Sequence, residues 1–214
     1  MPAESAKHHW NTIYTTKSPE EVSWTQPVPR TSLDFIHSFG VDKQAHIIDV
    51  GGGDSRLVDF LVAEGYQNIT VLDISAAALA RARQRLGAQA GQVSWVEADV
   101  LTFRPPQPYD VWHDRAAFHF MTTVEQIADY LTLARQAVRP AGYLTIGTFS
   151  PEGPTKCSGL PIRQYSEQTL STQLRQGSEK IRCITEDHHT PMHTVQSFLF
   201  CSFRRQVAGG QPAA

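Results

Sequence analysis

The sequence predicts an α/β fold, a doubly wound and mostly parallel sheet closed by a C-terminal antiparallel hairpin. Three observations lead there. From His46 onward short apolar runs alternate with stretches of helical periodicity, a glycine cluster separates the first run from the first helix, and the last quarter holds two extended segments with no helix between them. The chain's 214 residues fall within the span of one domain, and 41% hydrophobic residues are enough for a buried core.

The elements follow in order. Residues 8–40 read as two short helices around the turn-rich SPEEVSWTQPVP, punctuated by Pro19, Pro27 and Pro29, and look like a cap rather than a strand. HIIDV (46–50) is an apolar strand, GGGDS a turn, and LVDFLVAEGY a helix with Leu57, Phe60, Leu61 and Val62 on one face. ITVLDIS (69–75) repeats the unit, with Ser75 as N-cap of a helix that carries Leu79, Ala82 and Leu86 on one side. VSWVEADV (93–100) and YDVWHD (109–114) supply a third and a fourth strand, in which Trp95 and Trp112 read as core. Val124, Ile127, Leu131, Ala134 and Val138 mark a helix that Pro140 and Gly142 stop before a fifth strand, YLTIGTF (143–149). A short helix at 166–174 precedes KIRCITED (180–187) and QSFLFCSFRR (196–205), which pair as the hairpin and bring the sheet to seven strands.

Charge excludes some partners. With 19 Lys plus Arg against 21 Asp plus Glu, a formal charge of -2 and no run of one sign, neither nucleic acid nor a membrane surface is an expected partner. No stretch reaches the ~18 apolar residues of a membrane span, and MPAESAKHHW lacks the apolar core of a secretory signal, so a soluble cytoplasmic protein is expected. Cys157, Cys183 and Cys201 are odd in number and widely spaced; reduced thiols are expected, with no CxxC metal site.

The strongest chemical signal is IIDVGGGDSRL (47–57). Gly51 and Gly53 allow positive φ and close approach of a ligand to the backbone, and the next helix offers unpaired N–H groups. Asp73 ends the second strand 20 residues after Gly53, a spacing at which an acid accepts the hydroxyls of a ribose. An ordinary strand-to-helix turn is the plain alternative. Arg56 occupies the position where a dinucleotide-binding GxGxxG loop needs a third small residue, which argues against a nicotinamide oxidoreductase.

From His9 to Arg205 the chain resembles the class I S-adenosylmethionine-dependent methyltransferases, Rossmann-like enzymes whose seventh strand runs antiparallel to the rest. The resemblance implies S-adenosylmethionine as cofactor. It places Asp49 and the loop Gly51, Gly52, Gly53 at the amino-acid end, Asp73 at the ribose, Ile74 and Val100 against the adenine, and Asp99 at its amino group. HDRAAFHF (113–120) resembles the Asp-Arg-Ala-Ala stretch of bacterial thiopurine methyltransferases, and WNTIYTTKSPEEVSWTQ their Trp-rich lid, which implies transfer to sulfur in a small molecule. A second resemblance is to small protein-lysine methyltransferases, whose DKG after the fourth strand is here His113-Asp114-Arg115.

On this reading a single domain spans 8–205, with a lid (8–40), a cofactor-binding core (46–150), a substrate loop with hairpin (151–205) and mobile tails at 1–7 and 206–214. His113, Asp114 and Arg115 are the expected catalytic group, Arg115 holding an anionic part of the acceptor; the alternative is an Asp114–Arg115 pair with His113 packed on the cofactor. Tyr14, Lys17 and Trp24 are expected in the lid, with rings over the sulfonium. His119 is assigned to the substrate site, catalytic there or else a core histidine bonded to a backbone carbonyl. Cys157, Arg163 and Tyr165 are substrate-loop candidates, set against a role for Gly159 and Pro161 as mere turn formers. In DHHTPMH, His188, His189 and His193 lack a carboxylate or thiol partner, so no metal is expected, and His189 is assigned to substrate. The expected acceptor is a small nucleophile such as a thiol; an amine or protein lysine, or a non-catalytic nucleotide-binding module, are the alternatives.

Overall fold

A computed structural model describes residues 3–207. Its main sheet has seven strands in the order β3-β2-β1-β4-β5-β9-β8. These are β1 (His46–Val50), β2 (Asn68–Asp73), β3 (Val93–Glu97), β4 (Tyr109–Arg115), β5 (Val138–Phe149), β8 (Ser178–His189) and β9 (Val195–Arg205). The pairs from β3 through β5 are parallel, and β9 runs antiparallel to both β5 and β8. This is the Rossmann-like arrangement with a terminal hairpin that the alternation predicts.

The period of two along each strand divides the core. Ile47, Val71 and Val111 face α2 (Arg30–Ser38), α3 (Leu57–Ala63) and α4 (Ala76–Leu86), meeting Leu33, Ile36, Leu57, Leu61 and Leu79. Their neighbours Ile48, Leu72 and Trp112 face the other way, onto α5 (Val124–Ala137) and α6 (Glu167–Leu174), meeting Ile127, Tyr130, Leu131 and Leu170. Ser75 caps α4 as expected, its hydroxyl accepting from the Ala78 amide.

Several boundaries differ from the sequence reading. Helix α1 (Ala3–Thr16) takes in residues 3–7 of the expected mobile tail, and Lys7 pairs with Glu97 at 2.6 Å across to β3. At the other end Gln206 of the expected tail donates its amide to the Gly177 carbonyl at 2.9 Å, and residues 1–2 and 208–214 lie outside the described residues. Pro140 and Gly142 do not separate helix from strand. Strand β5 starts at Val138, directly after α5, and the pairing jumps from Tyr109↔Val138 to Val111↔Tyr143, so residues 139–142 bulge out of the ladder with Ala141 at φ 63°. The substrate loop carries a two-stranded ribbon, β6 (Lys156–Cys157) and β7 (Leu160–Pro161), turned by Ser158 and Gly159 at positive φ.

The cysteines also need correction. Cys183 and Cys201 are register partners on β8 and β9 and form a disulfide; only Cys157 is a free thiol. Wide spacing in the chain hid a pairing that the hairpin register creates. Among the described residues no helix is long and apolar enough to cross a membrane.

Candidate functional site

A cavity of about 620 Å³ opens at the C-terminal ends of β1, β2 and β4, within the ~300–1,000 Å³ typical of small-molecule sites. In an open parallel sheet this is where ligands settle, at the switch point between the two halves. Here the order reverses between β1 and β4.

The turn after β1 is built for close approach. Gly51 sits at φ 65°, and a Cβ there would lie 2.6 Å from the Ala117 Cβ. A Cβ on Gly52 would lie 2.6 Å from Asp49 Oδ2. Both amides donate to the Leu72 carbonyl, at 2.7 and 3.2 Å, which ties the turn to the end of β2. Gly53, at φ 49°, passes beside Asp73 and Tyr14: a Cβ there would be 3.0 Å from Asp73 Oδ2 and from Tyr14 Oη. Arg85 of α4 anchors the far side of the turn through Asp54 and, at 2.8 Å, Asp59.

Asp49, Asp73 and Asp99 are among the acids that border the cavity. Asp49 is buried, with Oδ1 2.7 Å from His113 Nδ1. Asp73 accepts from the Ser75 amide at 2.7 Å, yet burial wins over that bond and raises its carboxyl to about 7. Asp99 accepts from the Leu101 amide through Oδ1, at 2.9 Å. Ile74 and Val100 line the wall beside the last two acids. Gly turn, acids and apolar wall, all bordering one cavity, form a donor and acceptor set that suits an adenosyl amino-acid ligand.

Helix α1 closes one side. Asn11 Oδ1 accepts from the Ser75 hydroxyl at 2.9 Å and from the Ala77 amide at 3.2 Å, so α1 caps the N-terminus of α4. Its Trp10 and Tyr14 meet Trp24 and Phe120 in a four-ring cluster on the cavity wall, with Trp10 centroids 5.3 Å from Phe120 and 5.7 Å from Trp24. Sequence reasoning named Tyr14 and Trp24 and missed Trp10, Phe120 and Asn11; a helical spacing of four between Trp10 and Tyr14 was the available signal. Lys17 does not line the cavity. Its side chain is exposed, and its carbonyl accepts from Arg81 at 2.6 Å.

The expected catalytic trio is divided. His113 borders the cavity, but both ring nitrogens are engaged, Nδ1 by Asp49 and Nε2 by Ser32 Oγ at 2.9 Å. Asp114 points to the opposite face. It accepts from the Ala117 and Phe118 amides at 3.0 and 3.1 Å and from the Tyr130 hydroxyl at 2.5 Å, away from the cavity lining. Nor do Asp114 and Arg115 pair. Arg115 donates one N–H to the Trp24 carbonyl at 2.9 Å and lies over the Phe198 ring, while Nε and Nη2 have no partner among the described residues. Burial lowers its guanidinium to about 10.

The remaining candidates also separate. Cys157 lines the cavity as a thiol that burial pushes up to about 12. Exposed His189 lines it near Thr190 and Pro191, and His188 holds the hairpin tip to the lid segment through the Ser23 carbonyl at 2.6 Å. His119 is a core histidine, but without the carbonyl partner expected of one. Buried against Phe120 and Phe149, with no partner for either nitrogen among the described residues, it is driven down to about 3 and lies off the cavity. Arg163 and Tyr165 lie behind the wall, where Tyr165 stacks on Phe118 and Arg163 on Tyr165. Among the described residues no three His, Cys, Asp or Glu side chains group as a metal would require.

Residues 47–142, the stretch from β1 into β5, match the methyltransferase domain family. No curated protein matches the sequence. Solved structures share its fold. A protein from work on the conversion of a disulfide bond into a thioacetal group during echinomycin biosynthesis superposes with TM-score 0.73 at 20% identity, over 94% of this chain and 93% of the other. A SAM-dependent methyltransferase from Anabaena variabilis gives 0.73 at 14% identity, over 95% of each chain. The 1,6-didemethyltoxoflavin-N1-methyltransferase of Burkholderia thailandensis, solved with 1,6-didemethyltoxoflavin and S-adenosylhomocysteine, gives 0.67 at 19% identity, over 95% and 85%.

Residues 47–142 thus match a methyltransferase domain, and the sheet around them has the Rossmann-like methyltransferase fold.

Proposed function

We propose that this chain is an S-adenosylmethionine-dependent methyltransferase that acts on a small molecule through a soft, anionic nucleophile, a thiolate above all. The observation that carries the reading is the pairing of a buried, half-satisfied guanidinium with the lack, among the described residues that line that end of the cavity, of an enclosed proton acceptor free of a partner. Arg115 presents charge, whereas His113 is engaged on both nitrogens, Asp114 is sealed on the far face and His119 is off the site. A thiol of ordinary pKa ~8.5 needs only a modest shift to ionise, which a nearby guanidinium supplies, whereas an ammonium near 10.4 needs a base.

When bound, the cofactor supplies a methyl group already activated on a sulfonium. The residues bind and orient. Asp73 takes the ribose hydroxyls, Ile74 and Val100 pack on the adenine, and Asp99 faces its amino group. Asp49 and the Gly51–Gly53 backbone hold the amino-acid end, and the Trp10, Tyr14, Trp24 and Phe120 rings exclude water beside the sulfonium. The acceptor enters between the β6–β7 ribbon and the hairpin tip, where Cys157 and His189 line its path. Residues 8–205 act as one domain. Transfer to the nitrogen of a flat heterocycle is the second reading, favoured by the four-ring wall and the fold shared with the toxoflavin N1-methyltransferase.

Transfer of labelled methyl to a panel of thiols, selenols, heterocyclic amines and proteins tests this, with Arg115→Met beside the wild type. Label in a thioether, reduced at least about tenfold by the substitution, is expected for a charge-assisted contact. Label in protein or amine overturns the thiolate reading, and cofactor binding without turnover of any acceptor would make the chain a binding module.

A further inference from the structure

Three side chains from distant parts of the sequence form one hydrogen-bonded line beneath the glycine turn. Asp49 on β1 and His113 on β4 are register partners on adjacent strands, so their side chains leave the sheet on the same face. That face is covered by α2, which lowers Ser32 onto the imidazole. The distances are 2.7 Å from Asp49 Oδ1 to His113 Nδ1 and 2.9 Å from His113 Nε2 to Ser32 Oγ. Exposures of 3%, 2% and 1% leave all three nearly dry.

The chemistry of the atoms sets the direction at the Asp49 end of the line, and the tautomer of the ring sets the other. An ionised carboxylate only accepts, so Nδ1 donates to Asp49; in the neutral imidazole Nε2 is then an acceptor, and the Ser32 hydroxyl donates to it. Ser32 makes no other side-chain hydrogen bond among the described residues. The order resembles that of a hydrolytic triad, but Ser32 is 1% exposed and absent from the cavity lining, with no room for an acyl group. What the line does is hold Asp49. With Oδ1 bound to a clamped imidazole, Oδ2 is left at the glycine turn, where a Cβ on Gly52 would lie 2.6 Å away.

We propose that Ser32 and His113 are positioning residues: they lock the Asp49 carboxylate so that Oδ2 faces the ammonium of the cofactor's amino-acid group. The inference rests on the reading of Asp49 as the partner of that ammonium. It removes His113 from the acid and base chemistry of the acceptor and gives it a role in cofactor selection. Second-sphere partners that orient a liganding side chain act in this way at metal sites, and a buried charge-assisted bond is strong enough to do so here.

Two ligands separate positioning from packing. S-adenosylhomocysteine has the amino-acid group; 5′-methylthioadenosine has the same adenosine and thioether without it. Calorimetry on the full chain should show His113→Leu weakening the first by about tenfold or more and the second by less than about twofold, the cost expected of one charge-assisted bond. Ser32→Ala should shift the ratio in the same direction by about threefold, as one neutral hydrogen bond would. His113→Asn, whose amide replaces the Nδ1 donor, should hold the ratio near wild type. These two milder variants carry the test if His113→Leu does not fold.

Equal weakening of both ligands, or an unchanged ratio in His113→Leu and Ser32→Ala, overturns the relay. Asp49→Asn tells the two failures apart. If it shifts the ratio while the other variants do not, the relay alone is wrong; if it leaves the ratio unchanged, Asp49 is not the ammonium partner and the relay goes with it.

Discussion

Asp73 and Asp114 are two buried carboxylates near the C-terminal ends of parallel strands, and burial raises both, to about 7 and about 6. Their surroundings differ. Asp114 is closed off by donors the protein supplies itself: two amides of the following turn and the Tyr130 hydroxyl, which in turn accepts from Trp112 Nε1 at 2.9 Å. Asp73 also meets backbone N–H groups, of Ser75 and beside Gly53 and Ile74, but no side-chain donor, and it borders the cavity with the glycine turn on one side and Tyr14 nearby. The same residue type at equivalent places in the fold is structural where its lone pairs are filled from within, and available to a ligand where they face open space.

The sharpest way to break that contrast is to remove each carboxylate in turn. Asp114→Ala strands the Tyr130 hydroxyl and two amides in the core and should cost about 3 kcal/mol or more in urea unfolding. Asp73→Ala should change stability by less than about 1 kcal/mol, because cavity water serves the amides it leaves and a costly buried charge disappears. Comparable losses in the two variants would erase the distinction.

Protonation gives a second, smaller contrast. Each acid has a folded pKa above the ordinary ~3.9, so the folded state holds its proton more tightly than the unfolded chain. Their contribution to stability is therefore complete below about pH 4, and is lost as pH rises through about 6 for Asp114 and about 7 for Asp73. Ligand binding runs the opposite way at Asp73, because ribose hydroxyls donate to the ionised form. Affinity for S-adenosylhomocysteine should rise by up to about tenfold from pH 6 to pH 8, and Asp73→Asn should flatten the rise. A flat profile in the wild type would show that Asp73 does not meet the ribose.

The two halves of the site were unequally legible in the sequence for the same reason they behave differently. Strand, glycine turn, helix and the acid 20 residues on are local patterns, so spacing along the chain carries to the cavity wall at Gly51, Gly52, Asp73 and Ile74. The acceptor side depends on contacts between distant segments. Ser32 meets His113, Asn11 caps α4 and Cys183 meets Cys201 only after the sheet and hairpin have formed. One error was avoidable. Three consecutive strand residues cannot share a face, so His113 and Arg115 go to the cavity while Asp114 goes to Tyr130.

Arg115 offers the finest test of open against sealed. Its guanidinium gains one bond to the Trp24 carbonyl and the face of Phe198 but keeps two buried nitrogens unpaired, so desolvation cancels much of what those contacts provide. Arg115→Met keeps most of the side-chain volume and removes the charge. Its effect on urea unfolding should lie within about 1 kcal/mol of zero, as for ion groups replaced by apolar residues of similar size. A loss near that of Asp114→Ala would mean that the guanidinium is satisfied within the fold, and the acceptor end of the cavity would then hold no charge in reserve for an incoming anion.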